Sequence, residues 1–482
     1  MIINGFEHIP KENRKHILLL SDDLRLNSGV GTASRNFVTG TSHRYNWFQL
    51  GAAVNHPDIG KRIDVSVDIN NQLGITDSQV YVQPHNGYGD PDILRHLLGE
   101  FKFDAILHFI DPRQWIWLYQ MEHEVRQNVP IFFYHVWDNL PYPKYNKEYY
   151  KSCDLITCIS KQTKNIVENV CPDWFEEDQV TYIPHGINPE EYFPITEEET
   201  GTMREVDNKG VKELKSDFEI MNNFKNDIFK NKQYDFIIFY NNRNIRRKNM
   251  GSTILSYKLF CDKLTKEEAS RCAFLMHTQV VDPNGTDLYQ VKTNICPDYD
   301  VVLHDVRIPP QFLNYMYNFS DITINLASAE GFGLATAESL MAGIPILATV
   351  TGGMQDQMGF RDENGNLMTF NTEFGTNSIA KYTSCGEWAF PVFPAARNLV
   401  GSPPTPYIFD DHVDIDEVID VLYNIYKLGK EERRRRGLLG RQFVLSDESG
   451  MTYTEMSKRF MTDMEVIWSD WKPRDTYKLI TI

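Results

Sequence analysis

A chain of 482 residues exceeds what one hydrophobic core usually covers, so two or three domains are expected. With 41% hydrophobic, 12% aromatic and 24% charged residues, it has the make-up of a folded globular protein and excludes long disorder. A formal charge of −17 disfavours non-specific binding to nucleic acid or anionic membranes over most of the surface, but leaves room for a local basic cleft. The first fifteen residues are polar and lack the apolar stretch of a signal peptide. No run approaches the roughly 18 apolar residues of a membrane span. Seven cysteines (153, 158, 171, 261, 272, 296 and 385) form an odd set without Cys-x-x-Cys spacing, which predicts reduced, mostly buried thiols. A soluble, cytoplasmic protein is the expectation.

In chain order, the apolar run 16–21 ends in Asp22-Asp23 and a Gly-bearing loop, the pattern of a buried parallel strand feeding a helix. Runs 105–110, 131–135 and 155–159 repeat it, and 180–183 leads into the turn-rich stretch 184–189. Residues 1–190 therefore read as one Rossmann-like domain, and 191–232 as a polar linker elaborated by a helix. A second alternating series follows, with strands at 236–240, 272–277, 301–304, 322–326 and 344–348 and a helix at 251–264. This second domain spans 233–452, and the helical tail 453–482 is expected to pack back on the first. The Pro-, Gly- and aromatic-rich stretch 361–412 is too long for an ordinary connection and reads as an ordered insertion. Strands alternating with helices imply α/β architecture: two doubly wound parallel-sheet domains in tandem. Of the two basic clusters, 243–248 and 433–436, the second reads as a solvated helix with i,i+4 charge pairs.

The segment 326–345 is the most informative. A buried strand ends near Leu326, a loop carries Glu330, Gly331, Phe332 and Gly333, and a helix starts near Leu334. Open α/β sheets bind ligands where strand carboxyl ends meet helix amino termini, and there the free N–H groups and helix dipole favour a diphosphate. Gly331 and Gly333 let the backbone approach closely. Glu330 can reach sugar hydroxyls, and Glu338, one turn into the helix, can bridge two ribose hydroxyls. Two glutamates alone would equally well cap a helix; the whole arrangement is what carries information. It resembles family 4 of the retaining glycosyltransferases, whose signature is a glutamate pair separated by seven residues around this Gly-Phe-Gly.

Upstream, Arg243 and Lys248 follow the strand at 236–240 with the spacing of that family's basic loop, although Asn242 stands where the family has glycine. Two cations at a strand end can neutralise a leaving diphosphate. Gly29 and Gly31 resemble the family's amino-terminal glycine loop facing the donor phosphates. His135 resembles its acceptor-side histidine, placed to bind the transferred sugar, with Asp138 able to orient it or the acceptor; a packed histidine is the alternative. Residues 159–163 and 183–188 resemble further landmarks, read as a helix start and the interdomain turn. The Asp-x-Asp triplets at Asp298 and Asp300 and at Asp414 and Asp416 are frequent in acidic chains. No metal and no cofactor are expected to be required.

The resemblance covers 16 to about 350 and fades after 361. It implies the GT-B fold, two facing Rossmann-like domains with the cleft between them, and transfer of a sugar from a nucleoside diphosphate donor, UDP for preference, with retention. His135, Glu330, Arg243 and Lys248 would be catalytic; Gly29, Gly31, Gly331, Phe332, Gly333, Leu334 and Glu338 would complete the donor site. The acceptor is open: a small molecule, a glycan, or hydroxymethylcytosine in DNA if the chain is a viral DNA-modifying member acting in host cytoplasm. The basic residues at 11–15 and 243–248 could line a cleft for DNA. The aromatic residues of the insertion, Trp388, Phe390, Phe393, Tyr407 and Phe409, could form an acceptor lid or merely pack. Two other classes stay open. A nucleotide-dependent oxidoreductase would need a full G-x-G-x-x-G, but Ser34 replaces its third glycine. A non-catalytic carbohydrate- or nucleotide-binding protein would have little use for the basic loop.

Overall fold

The computed structural model describes residues 1–26, 28–53, 56–197, 204–208, 211–369 and 384–474. The chain divides into two compact units: Met1–Gly186 with Gly401–Ile408 and Gly450–Ile482, and Ile187–Val400 with Phe409–Ser449.

In the first unit the aliphatic runs form an eight-stranded sheet in the order Val180–Tyr182, Leu155–Cys158, Ile131–His135, Ala105–Phe109, Lys15–Asp22, Tyr45–Ala53, Val80–Asn86, Ile63–Asp64. Seven strands run parallel and only the short last one is antiparallel. Ile17 to Leu20 are fully enclosed, as expected for strands covered on both faces. One cover is the tail helix Tyr453–Asp470: Phe460 packs 5.1 Å from Phe37 and 4.9 Å from Tyr134, and Trp468 donates from Nε1 to Asp104 O at 3.0 Å.

The second unit holds a six-stranded, wholly parallel sheet in the order Val301–His304, Cys272–His277, Phe236–Asn241, Ile322–Asn325, Ile346–Thr349, Ala389–Val392. Its last strand corrects the expected insertion at 361–412, because Ala389–Val392 is an integral part of the sheet, pairing Ile346 with Ala389 and Thr349 with Val392. Pro391 and the neighbouring Pro394 obscure it in sequence, but an edge strand tolerates proline. Trp388 stacks on Phe443 at 4.9 Å and donates to Gln357 O at 2.9 Å, so it packs rather than forming a lid. The elaboration proper is the hairpin Pro394–Ser402 and Thr405–Val413, pinned by Arg397 Nε on Asp411 at 2.6 Å with the guanidinium 4.2 Å over Phe409. Residues 370–383 lie outside those described. The expected linker contributes the helix Asp217–Phe229, started by a Ser216–Glu219 capping box and packed through Phe224 on Phe312 at 4.9 Å, all within the second unit.

The arginine cluster also departs from expectation. Arg435 and Arg436 do pair with Glu432 on the helix Gly429–Leu445, but Arg433 is buried. It donates to Asp321 Oδ1 from Nε at 3.0 Å and from Nη2 at 2.8 Å, and to the Tyr426 carbonyl at 3.1 Å, closing the end of the helix Ile415–Lys427. Asp321 in turn takes the Ile237 N–H at 2.8 Å, so Arg433 ties helix to sheet. Arg433→Met strands that carboxylate and is expected to cost about 3 kcal/mol, read as a lower denaturation midpoint with unchanged m-value. A midpoint within error of wild type would show the pair to be dispensable.

Candidate functional site

The strands Phe236–Asn241, Ile322–Asn325 and Ile346–Thr349 are neighbours, and the loops after them converge. Ser328 N donates to Arg247 O at 2.8 Å, and Gly353 N donates to Glu330 O at 3.1 Å. Loop 242–249 closes with a 3-10 turn, Arg246–Lys248, before the helix Met250–Asp262. That turn buries Lys248, which is 5% exposed, and aims its Nζ at Asn242 Oδ1 at 2.8 Å and at the Glu330 carboxylate in direct contact. Arg247 Nη1 lies 3.7 Å from Glu330 Oε2 and also donates to Ala329 O. Arg243 pairs through Nε with Asp282 Oδ2 at 3.1 Å, while its side chain stays 65% exposed.

Two cations, Arg247 and Lys248, therefore share one buried carboxylate, and Arg243 pairs with a second, Asp282. The excess positive charge in this low-dielectric corner suits a group carrying more than one negative charge. Beside it begins the helix Leu334–Met341. Gly333, its N-cap, has φ +88° and brings no side chain to the cap, so no side-chain cap occupies the first-turn N–H groups, although Thr336 N donates to Gly333 O at 3.2 Å. A Cβ on Gly333 would stand 2.8 Å from Met354 Cγ and from Thr336 Oγ1, so only glycine fits this turn. Gln357 Nε2 holds the Phe332 and Gly333 carbonyls at 2.7 and 3.1 Å, and a Cβ on Gly353 would press on Gly331 O at 2.6 Å. The loop after Thr349 is thus the floor of the site. Phe332, expected among the donor contacts, is packed in the core.

Glu338 lies on the same helix, 7% exposed, with Oε2 accepting from Tyr317 Oη at 2.7 Å and a second hydrogen bond from Tyr192. Tyr317 Oη accepts from Asn241 Nδ2 at 3.0 Å, joining Glu338 to the strand end that carries Arg243. Burial pushes the Glu338 carboxyl up to about 7 against the opposing pull of the two tyrosines.

The first unit departs more from expectation. His135 is a packed core residue: it is fully enclosed, its Nε2 lies 2.9 Å from Tyr150 Oη, and its ring sits 4.6 Å from Phe133. Burial pushes it down to about 3, so at neutral pH it is uncharged, and from this position it presents no edge to a sugar. Asp138 is half-buried and accepts from Asn139 Nδ2 at 3.0 Å, and its carbonyl takes Gln162 Nε2 at 2.7 Å. The supposed glycine loop is the first turn of the helix Gly29–Thr41. The Gly31 N–H is taken by the Ser28 cap at 3.0 Å, and a Cβ there would meet Leu26 O at 2.5 Å, so Gly31 serves close packing; Gly29 remains exposed.

The second unit thus gathers Arg243, Lys248, Glu330, Gly331, Gly333, Leu334 and Glu338 at one site, whereas Gly29, Gly31, His135 and Asp138 belong to the first unit. Sequence reasoning missed Arg247, Asp282, Tyr192, Tyr317 and Gln357. Of these only Arg247 lay inside a quoted motif; for the floor, the Gly352-Gly353 pair after a strand was the available signal. Asp300 pairs with Lys232, and Asp414 caps the helix Ile415–Lys427. Among the described residues no group of three or more His, Cys, Asp or Glu side chains could hold a metal, and no helix is long and apolar enough to cross a membrane. The seven cysteines are unbridged, six buried and Cys385 half-buried.

Two mixed α/β units built on parallel sheets define the class: the fold is of the GT-B type. It superposes on Anabaena Alr3699/HepE in complex with UDP and glucose with TM-score 0.60 and 11% identity, over 94% of this chain and 100% of that one. Sucrose-phosphate synthase from Thermosynechococcus elongatus gives 0.61 and 12%, over 95% and 100%. In sequence, residues 73–191 match the model of Glycosyltransferase Family 4. A stretch of 121 residues is 31% identical to trehalose phosphorylase of Grifola frondosa, covering 23% of this chain and 16% of that protein. The chain thus spans less than a fifth of that relative's length.

Proposed function

We propose that the chain is a glycosyltransferase that takes a sugar from a nucleoside diphosphate donor, UDP for preference, and passes it with retention to an acceptor hydroxyl. The carrying observation is the basic loop of Arg243, held by Asp282, with Arg247 and Lys248 on buried Glu330, next to the helix start at Gly333. Charge that develops on a departing diphosphate would meet fixed cations and backbone N–H groups, which need no reorganisation during the reaction. Glu330, already shared by two cations, would take a hydroxyl of the donor sugar, and Glu338 the ribose. The Anabaena neighbour's complex with UDP and glucose supports the choice of donor.

Sugar nucleotides titrated into the purified protein, with slow hydrolysis followed, test this reading. Binding of none of them, and no turnover, would sink it and favour a plain carbohydrate-binding role. Cations take the place of a metal here, so activity in excess chelator is expected to equal the untreated rate. Complete loss restored by a divalent ion would refute that. The acceptor would be a small molecule, a glycan or hydroxymethylcytosine in DNA, and salt-sensitive retention of a hydroxymethylated duplex singles out the last.

The trehalose phosphorylase likeness favours a second reading, in which inorganic phosphate occupies the cation cluster. It requires phosphate-dependent cleavage of trehalose without any nucleotide.

A further inference from the structure

The loop that carries Arg243 is held by a second loop, 280–287, which follows the strand Cys272–His277. Asn244, buried, locks them together: its Nδ2 donates to Val280 O at 3.2 Å and Thr286 O at 2.7 Å, and its Oδ1 accepts from Thr286 N at 3.1 Å. Arg246 N adds a bond to Asn284 O at 2.9 Å. Gly285 lies so close beneath that any Cβ there would collide with Asn244. Within this bracket sits Asp282, 4% exposed. Its Oδ1 accepts from Asn284 N at 2.8 Å and its Oδ2 from Arg243 Nε at 3.1 Å.

An exposed arginine is thus gripped from the side by a buried carboxylate that is itself anchored to backbone. Arg243 uses Nε alone for that grip, and a guanidinium held at Nε presents its outer pair of nitrogens as a planar fork, the geometry that meets two phosphate oxygens. Holding the long side chain in place before the ligand arrives spares the rotamer entropy that binding would otherwise remove. Asp282 also withdraws part of the positive charge, and a group kept only to oppose a phosphate would have no reason for this rigid support.

We propose that Asp282 is a positioning residue that fixes Arg243 so that its outer N–H groups meet the diphosphate of the donor. The role rests on the nucleotide-sugar reading above. Calorimetric titration of UDP, GDP and ADP into the full chain tests it, taking whichever binds tightest. Asp282→Ala is expected to weaken that nucleotide about tenfold. Asp282→Asn, which keeps an acceptor for Nε, should lose less, and it stands in if the alanine variant fails to fold. A role through Arg243 alone requires that neither substitution adds a loss in an Arg243→Ala background. Unchanged or tighter binding by Asp282→Ala, or an equal loss in both backgrounds, overturns the positioning role and leaves the donor site standing. A wild-type chain that binds none of the three nucleotides overturns the donor reading, and this inference with it.

Discussion

Lys248→Ala is expected to lower turnover by about two to three orders of magnitude, the range found when one preorganised donor to a developing negative charge is removed. The substitution has a second effect that must be separated from the first. Lys248 is the closest partner of buried Glu330, leaving Arg247 at 3.7 Å as the other cation beside it. Removing the lysine leaves a poorly compensated buried charge, which costs about 3 kcal/mol or more. A Lys248→Met/Glu330→Gln double variant removes both charges, and it should recover most of that stability while remaining inactive. Melting temperature and kcat therefore move independently across the set. Wild-type kcat in Lys248→Ala would remove the residue from the mechanism, whatever its effect on folding.

Glu338→Gln should have an effect on stability that grows with pH. The folded state raises this carboxyl from 4.5 to about 7, so between those values the native protein holds a proton that the unfolded chain has released. Stability is then greatest at low pH and falls as pH rises through 7, by about 3 kcal/mol at 1.36 kcal/mol per pKa unit. Glutamine has no proton to lose, so the variant should be more stable than wild type at pH 8 and close to it below pH 5. Nucleotide binding is expected to move the other way. A ribose donating two hydroxyl protons needs the ionised carboxylate, whose population rises about tenfold between pH 6 and 8. Wild-type affinity should rise over that interval, and the difference from Glu338→Gln isolates the group from titration of the phosphates themselves. Identical pH profiles for the two proteins would deny Glu338 the ribose.

The contrast between Lys248 and His135 shows how burial separates two residues that the sequence places alike. Both stand at strand ends in stretches that resemble the same family, and both are buried. Lys248 carries a charge that burial cannot tolerate alone, so its enclosure demanded partners: Asn242 and Glu330, the latter 82 residues away, supply them. His135 can shed its proton instead, and a single contact from Nε2 to Tyr150 suffices for it as a neutral core residue. A histidine's spacing cannot distinguish these fates. Asn242, which looks like a departure from the family pattern, turns out to have a task in holding the lysine.

Glu338 and Arg243 make the same point from the side of their partners. Their positions follow from a strand, a glycine turn and a helix, all local. Tyr192, Tyr317 and Asp282 come from outside those motifs, and no local periodicity ties them to their targets. The edge strand Ala389–Val392 was missed for a related reason: proline lowers local strand propensity, while pairing along Ile346–Thr349 overrides it.

By itself the sequence determined the alternating strands and helices of two parallel sheets, and the glycine turn, glutamates and basic loop of the candidate site, because periodicity and turn chemistry act over a few residues. Only the tertiary structure decided which of those side chains are reachable, which are neutral and which are held by partners. Burial and distant hydrogen bonds set charge and orientation, and both depend on contacts that fold together residues tens of positions apart.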